Sequence, residues 1–297
     1  MAVPCERQPV TVPESALCSE FTSASPDWSF LVTVFITSSP RSSDCTSSIL
    51  ALMSATRKLL PRAPVTVVFD GPHPAVSNNM SAEASRSLAQ LKLLHGNATR
   101  IRQSYEAKIA AVRTHPSVAS RVVVHSRWLH KGGALLSAMA TTKRTPILFV
   151  VEEDVELIDV RTIQTTMIIE QLLCDSSRVE FVQLYWGDSL DVATFGTPTY
   201  EAHPWQPGLL RVHRWSDRPH FALASLYDRV VIPFFTRNQR STIESELISR
   251  FQHGQTYSRY VRSASYTLKM DSNSHASLNP WPCPLLRSGS SIRVRMD

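Results

Sequence analysis

Residues 147–157 read ILFVVEEDVEL, an apolar run of five residues that ends in three consecutive carboxylates. The run has no polar alternation, which is typical of a parallel-sheet strand buried on both faces. Adjacent carboxylates repel one another, and a divalent cation removes that conflict because hard cations bind carboxylate oxygens. The side-chain period of a strand puts Glu152 and Asp154 on one face, where they could share a metal. The alternative is a solvated acidic turn before a helix.

Similar apolar runs occur on both sides of this stretch and are separated by segments with helical spacing of apolar residues. They predict further strands at 28–36, 65–69, 121–124 and 179–185. Helices are predicted at 49–60, 88–94, 101–112, 131–143, 159–172, 222–228 and 243–252. Strands that alternate with helices predict an α/β, doubly wound fold with a mostly parallel sheet. Residues 188–214 are predicted to form a long loop or a small antiparallel insertion.

The composition is that of a folded chain. Its 297 residues are 43% hydrophobic and 19% charged, which excludes wholesale disorder. The net charge of +6 favours an anionic partner, either a phosphorylated small molecule or a nucleic acid. Five scattered cysteines without a Cys-x-x-Cys pair predict reduced thiols rather than a zinc site or a disulfide framework. No apolar run approaches the ~20 residues of a membrane span, and no signal peptide is evident, so a soluble cytoplasmic protein is predicted.

Ligands of open parallel sheets bind outside the carboxyl ends of the strands. This rule selects the polar segments Thr37–Arg41, Asp70–Pro72, His125–Lys131, Glu152–Asp154 and the loop after Tyr185. Lys131 precedes two glycines and could meet a phosphate through its charge and through close backbone approach. The alternatives are a plain helix start for Lys131 and an ordinary Asp-Gly turn for Asp70.

These motifs and their order resemble nucleotide-sugar glycosyltransferases with the GT-A fold, which is Rossmann-like. The stretch ILFVVEEDVEL, preceded by the helix that starts at Lys131, is similar to the D-x-D region of that family. Its acidic triplet resembles the Glu-Asp-Asp version of N-acetylglucosaminyltransferase-I-like enzymes, and Glu152 departs from the Asp of a strict D-x-D. The resemblance spans residues 28 to 275 and rests on the order of the motifs.

The resemblance implies a role for each segment. LVTVFITSSPR (31–41) resembles the first strand of the family, whose following loop holds the nucleotide. VTVVFDGP (65–72) resembles the second strand, whose terminal acid contacts the base or the ribose. In the family the last carboxylate of the triplet, here Asp154, coordinates the Mn²⁺ or Mg²⁺ that bridges the donor diphosphate. The residues implied in nucleotide-sugar binding are Thr37, Ser38, Arg41, Asp70, Lys131, Glu152 and Glu153.

The second half of the chain resembles the acceptor side of such enzymes. IESELISRFQHG (243–254) is similar to a helix of inverting family-2-type transferases, in which the acid at the position of Glu244 is the general base. Asp217 is the alternative base. His275 stands where GT-A enzymes often place a metal-binding histidine. A surface helix with acids in its first turn and a solvated loop histidine are the competing interpretations.

The sequence thus predicts an inverting, metal-dependent glycosyltransferase. It would use a UDP- or GDP-sugar and a glycan, protein or small-molecule acceptor, with no nucleic acid and no integral membrane segment. The predicted organisation is a leader (1–27), one catalytic domain (28–275, with a nucleotide-sugar half at 28–187 and an acceptor half at 188–275) and a tail (276–297). A sugar-nucleotide nucleotidyltransferase is the alternative, although ITSSPRSSD (36–44) lacks the glycine of its phosphate loop. A basic nucleic-acid-binding protein is disfavoured because the arginines are spread along the chain.

Overall fold

A computed structural model describes residues 27–39, 46–72, 98–115, 121–153, 157, 165–174, 179–185, 201–202, 209–212, 219–235 and 264–269. Within these ranges the chain forms a nine-stranded sheet flanked by helices. The predicted leader, tail and domain division stay predictions, because most of the residues that would test them lie outside these ranges.

The strands are β1 (Val32–Ser38), β2 (Val65–Phe69), β3 (Arg121–Val124), β4 (Ile147–Glu152), β5 (Val179–Tyr185), β6 (Glu201–Ala202), β7 (Leu209–Val212), β8 (His220–Leu223) and β9 (Ala264–Lys269). The helices are α1 (Thr46–Leu59), α2 (Ala98–Thr114), α3 (His130–Thr141) and α4 (Thr165–Cys174). A further helix, α5, begins with Ala224–Leu226 and continues through the π-helical turns Tyr227–Val231 into Ile232–Phe235. None of the helices described is long and apolar enough to cross a membrane.

The order of the strands in the sheet is β3-β2-β1-β4-β8-β5-β9-β7-β6. Strand β1 pairs in parallel with β2 and β4, β2 pairs in parallel with β3, and β5 with β9. Strand β8 runs antiparallel between β4 and β5, and β7 runs antiparallel between β9 and β6. All described strands except β7 and β8 therefore run in one direction. This confirms the predicted α/β fold with a mostly parallel sheet flanked by helices.

The central strands are buried because helices cover the sheet. Every residue of β1 and β2 is buried, which is why their sequences do not alternate between polar and apolar residues. Helix α3 contacts β1 and β2, α4 contacts β5 and β8, and α1 contacts α2. Between β4 and β8, the rings of Phe149 and Phe221 stack with their centroids 4.4 Å apart. The core thus extends from the parallel strands to the first antiparallel one.

The direction in which the chain adds strands reverses between β1 and β4. From β1 the chain adds β2 and β3 on one side, and then returns to place β4 on the other side of β1. Because crossovers between parallel strands are right-handed, this reversal puts α1 and α2 on one face of the sheet and α3 on the other. In open α/β sheets the ligand site lies at such a switch point, outside the carboxyl ends of the strands. There the register places Thr37 beside Glu152.

The second half of the chain corrects one predicted element and adds another. Residues 222 and 223 belong to β8, so the helix predicted at 222–228 begins at Ala224 instead. Strand β9 is not predicted by the sequence. The predicted insertion at 188–214 contains the antiparallel pair β6–β7. The helices predicted at 88–94 and 243–252 lie outside the described residues.

Cys174, the last residue of α4, is disulfide-bonded. The other cysteines all lie outside the described residues, and so does its partner. The prediction of reduced thiols is therefore wrong at this position.

Candidate active site

The carboxyl ends of β1, β2 and β4 bring the predicted nucleotide-side residues to one edge of the sheet. Two of these residues end β1, one follows β2, two stand at the end of β4, and one lies in the first turn of α3. The residues placed together in this way are Thr37, Ser38, Asp70, Glu152, Glu153 and Lys131. The other predicted site residues lie outside the described part of the chain, namely Arg41, Asp154, Asp217, Glu244 and His275.

Glu153 is tied to the end of β1 and to helix α2. Its Oε2 atom accepts hydrogen bonds from Ser38 Oγ at 2.8 Å and from Lys108 Nζ at 2.8 Å. Its Oε1 atom accepts the Ser39 N–H at 3.4 Å, and its own N–H donates to the Thr37 carbonyl at 3.0 Å. The carboxylate of Glu153 is thus occupied within the protein.

The charge of Glu152 is neutralised by a lysine of α3, which lies on the face of the sheet opposite to α2. Its carboxylate pairs with the ammonium group of Lys131, and both side chains are largely buried. The two glutamates of the acidic triplet therefore each have a lysine partner, one from α3 and one from α2. This pairing resolves most of the charge repulsion that a run of carboxylates creates.

The described carboxylates do not form a metal site by themselves. No group of three or more His, Cys, Asp or Glu side chains lies together within the described ranges. Glu152 and Glu153 are paired with lysines, so their oxygens are poorly suited to hold a cation as well. A metal at this edge would depend on the third carboxylate of the triplet, Asp154.

The hydroxyl of Thr37 is a buried polar group at the switch point. The residue is 4% exposed, and its Oγ1 atom has no hydrogen-bond partner among the described residues. A buried hydroxyl without a partner costs about 1–3 kcal/mol relative to one that is hydrogen-bonded. A bound polar ligand that reached this atom would recover that energy.

Tyr105 of α2 connects the ends of β1 and β2. Its hydroxyl donates to the Asp70 carbonyl at 2.9 Å and lies 3.1 Å from the Ser38 carbonyl, and its ring meets Phe69 edge to face at 5.6 Å. Burial, and after it the negative charge of Glu153, raise the pKa of the Tyr105 phenol well above its ordinary value. The hydroxyl therefore stays protonated and acts as a hydrogen-bond donor.

Asp70 fixes the loop between β3 and α3. It is 1% exposed, and its Oδ1 atom accepts the N–H groups of Gly71 and Leu129, each at 2.8 Å. At the end of this loop His130, the first residue of α3, has a φ of 58°, in the left-handed region. Its ring is tilted by 30° against that of Trp128, with the centroids 3.8 Å apart. Asp70, the residue after β2, thus fixes the backbone that leads into Lys131 through its hydrogen bond with the Leu129 N–H.

Gly71→Ala is expected to destabilise the protein by about 1–3 kcal/mol, the range for forced overpacking. A Cβ atom at Gly71 would lie 2.0 Å from the carbonyl carbon of Arg127, so the backbone itself would have to move. Urea unfolding measures the change. The control is Gly133→Ala within α3, where the new Cβ would meet only Leu129 Cβ at 3.2 Å and the helix gains propensity. Equal stabilities for the two variants would contradict the close packing at Gly71.

Lys108 and Tyr105 are site residues that the sequence analysis missed. Ile101, Tyr105, Lys108 and Val112 are spaced as one face of a helix, and all four are buried. A lysine within an otherwise apolar helix face was the available indication, because lysine is almost never fully buried unless it is paired.

No protein-family model and no curated protein sequence matches the chain. Among solved structures, it is similar to a mannosyltransferase from Pyrobaculum calidifontis in complex with GDP-Man and Mn²⁺, at 13% identity and a TM-score of 0.45 over 88% of this chain and 65% of that one. It is also similar to a CMP:2-keto-3-deoxy-manno-octonic acid synthetase complexed with CTP, at 12% identity and a TM-score of 0.45 over 85% of this chain and 92% of that one. It is similar as well to a glucosyl-3-phosphoglycerate synthase from Mycobacterium tuberculosis, at 14% identity and a TM-score of 0.37 over 73% of this chain and 72% of that one. Identities and TM-scores this low do not indicate a function.

Proposed function

We propose that the chain is a glycosyltransferase that moves a sugar from a nucleotide-diphosphate sugar to an acceptor hydroxyl. The observation that carries the proposal is the position of the acidic triplet, which begins at the end of β4, directly beside the end of β1 and at the switch point of the sheet. This is where open α/β sheets bind their ligands. The motifs whose order resembles that of GT-A enzymes include residues at this same edge of the sheet.

The chemistry of this edge suits a nucleotide diphosphate. Lys131 lies in the first turn of helix α3, and its ammonium group, which pairs with Glu152, could also meet a diphosphate oxygen. Thr37 has a hydroxyl without a partner among the described residues, and Ser38 and Ser39 begin the segment that would hold the nucleotide. The net charge of +6 favours an anionic donor.

The metal and the acceptor side complete the proposal. We assign Asp154 and His275 to a Mn²⁺ or Mg²⁺ ion, which would neutralise the diphosphate and help it to leave. Glu244, or alternatively Asp217, would take the proton of the acceptor hydroxyl in an inverting displacement. Arg41 would contact the nucleotide. All five residues are proposed from sequence.

A thermal-shift panel tests the proposed function. UDP, GDP, CMP and their sugars, together with CTP and UTP, are added with and without Mn²⁺. A ligand at 100 times its dissociation constant should stabilise the protein by about 2.7 kcal/mol. A glycosyltransferase should respond to a nucleotide diphosphate and release it from the sugar nucleotide. Stabilisation by CTP or UTP alone, with release of pyrophosphate on addition of a sugar phosphate, would instead establish a nucleotidyltransferase. No response to any nucleotide would refute both activities.

Asp70→Ala is expected to raise the KM for the donor about tenfold or more, with a smaller fall in kcat. Contacts to the base or ribose, and the loop that Asp70 holds, act equally in the ground state and the transition state. Steady-state kinetics with varied donor measure the split. Asp27→Ala is the control, since Asp27 also accepts a backbone N–H, that of Ser29 at 3.0 Å, but precedes β1 at its other end. An effect confined to kcat would remove Asp70 from the nucleotide pocket.

The cellular location is a separate part of the proposal. The sequence analysis predicts the cytoplasm, and the disulfide at Cys174 counts against it. Disulfides persist in oxidising compartments and are rare in the reducing cytosol. We therefore favour an oxidising compartment. Peptide mapping of the unreduced native protein, which would show Cys174 either linked or free, tests this.

A further inference from the structure

Lys108 is a buried lysine that neither the core nor the proposed chemistry requires. It lies in α2, is 4% exposed, and its Nζ atom is 2.8 Å from Glu153 Oε2. Removing two charges from water is costly, and a well-packed apolar pair of similar volume is often as stable or more stable. Packing and stability alone therefore do not account for this ion pair.

The partner of Lys108 holds two strands in register at their carboxyl ends. The Glu153 N–H donates to the Thr37 carbonyl, and its carboxylate accepts hydrogen bonds from the Ser38 hydroxyl and the Ser39 N–H. One residue after β4 is thus bonded to three successive residues of the segment that leaves β1. Lys108 of α2 supplies the positive charge that holds the Glu153 carboxylate in this geometry.

We propose that Lys108 and Glu153 are positioning residues that set the distance between the two halves of the nucleotide site. One half is the end of β1 at Thr37 and Ser38, and the other is the end of β4 at Glu152. Lys108 is too deeply buried to contact a ligand, and it would act only through Glu153. This inference rests on the proposed function for its ligand, but its contacts are independent of it.

The experiment compares three variants of the full chain with the wild type. Lys108→Met keeps an unbranched side chain that is one atom shorter and removes the charge, and Lys108→Arg keeps the charge. The matched control is Arg144→Met, because Arg144 makes a similar part-buried ion pair with Asp228 at 2.9 Å, beside the opposite end of β4. Affinities for UDP and GDP are measured by calorimetry with and without Mn²⁺, well below the melting temperature of each variant.

Lys108→Met is expected to weaken nucleotide binding about tenfold or more, while Lys108→Arg retains most of the affinity and Arg144→Met all of it. Both methionine variants should melt at a lower temperature, since each leaves a carboxylate unpaired. Amide exchange gives a readout that does not need a ligand. In Lys108→Met the Glu153 amide, bonded to Thr37, should exchange about tenfold faster, while amides in the middle of β2 are unchanged.

Each outcome decides the inference. If folded Lys108→Met binds nucleotide like the wild type and protects the Glu153 amide equally well, the ion pair is only structural and the inference is wrong. If Lys108→Met does not fold, the double variant Lys108→Met/Glu153→Gln removes both charges, and its affinity should still be weakened. If the wild type binds neither nucleotide, the proposed function fails, and the exchange of the Glu153 amide alone decides the positioning role.

Discussion

Asp154→Ala is expected to abolish metal-dependent nucleotide binding while the protein stays folded. Of the three carboxylates in the triplet, Glu152 is paired with Lys131 and Glu153 with Lys108. Each glutamate could bind a cation only after its own ion pair had broken. Asp154 is therefore the carboxylate to which we assign the metal, and its oxygens are the kind of ligand that Mn²⁺ and Mg²⁺ prefer.

Calorimetric titrations with UDP and GDP, with and without Mn²⁺, measure the affinities. The melting temperature shows whether the variant is folded. Glu156→Ala is the matched control, since it removes an acid two residues along the same segment. It should bind nucleotide and metal like the wild type. If Asp154→Ala retains the affinity and the Mn²⁺ response of the wild type, the metal is held elsewhere or is not used.

The buried strands of the first half could be predicted from sequence for a simple physical reason. A strand covered on both faces favours apolar, β-branched side chains with little polar alternation, and the runs VTVVF at 65–69 and ILFVV at 147–151 fit that environment. Their carboxyl ends then identify the edge where ligands bind. The clustering of Thr37, Asp70 and Glu152 at one edge follows from that rule.

Strands β8 and β9 could not be predicted in the same way. HFALASL (220–226) has the alanines and leucines of a helix, and its first four residues become a strand only because β4 and β5 pair with them on either side. Strand β9 depends on β5, to which it pairs in parallel across a long stretch of chain. Tertiary pairing of this kind overrides local preference.

The lysine partners of Glu152 and Glu153 could not be predicted from the sequence either. The resemblance to GT-A enzymes implies that Glu152 and Glu153, which follow a predicted strand, bind the nucleotide sugar. That assignment stays untested, but the structure gives each glutamate a lysine, one of them 45 residues earlier in the chain. A period of two along the strand sends the two side chains to opposite faces of the sheet, and so toward different helices.

Glu244→Gln is expected to lower kcat at least about a hundredfold and to leave donor binding intact. An acceptor hydroxyl is a poor nucleophile at neutral pH, so a single displacement needs a base that takes its proton during attack. A carboxylate within about 2.6–3.2 Å can do so, and general-base catalysis typically contributes about 10²–10⁴-fold. Glutamine keeps the size of the side chain and removes the proton acceptor. Single-turnover kinetics at saturating donor, with the donor affinity measured separately, give the result.

Glu246→Gln provides the matched control, because it makes the same change two residues further along the predicted helix. A helix turns by about 100° per residue, so residues two apart point in nearly opposite directions, and only one of the two acids can face the acceptor. The base must also stand apart from the metal, since a coordinated carboxylate has little basicity left. Placing Glu244 on a helix remote in sequence from Asp154 allows that separation. Near-normal turnover by Glu244→Gln would bring Asp217 forward as the base. A product that keeps the anomeric configuration of the donor would instead show a retaining mechanism. The reaction would then not be a single displacement assisted by Glu244.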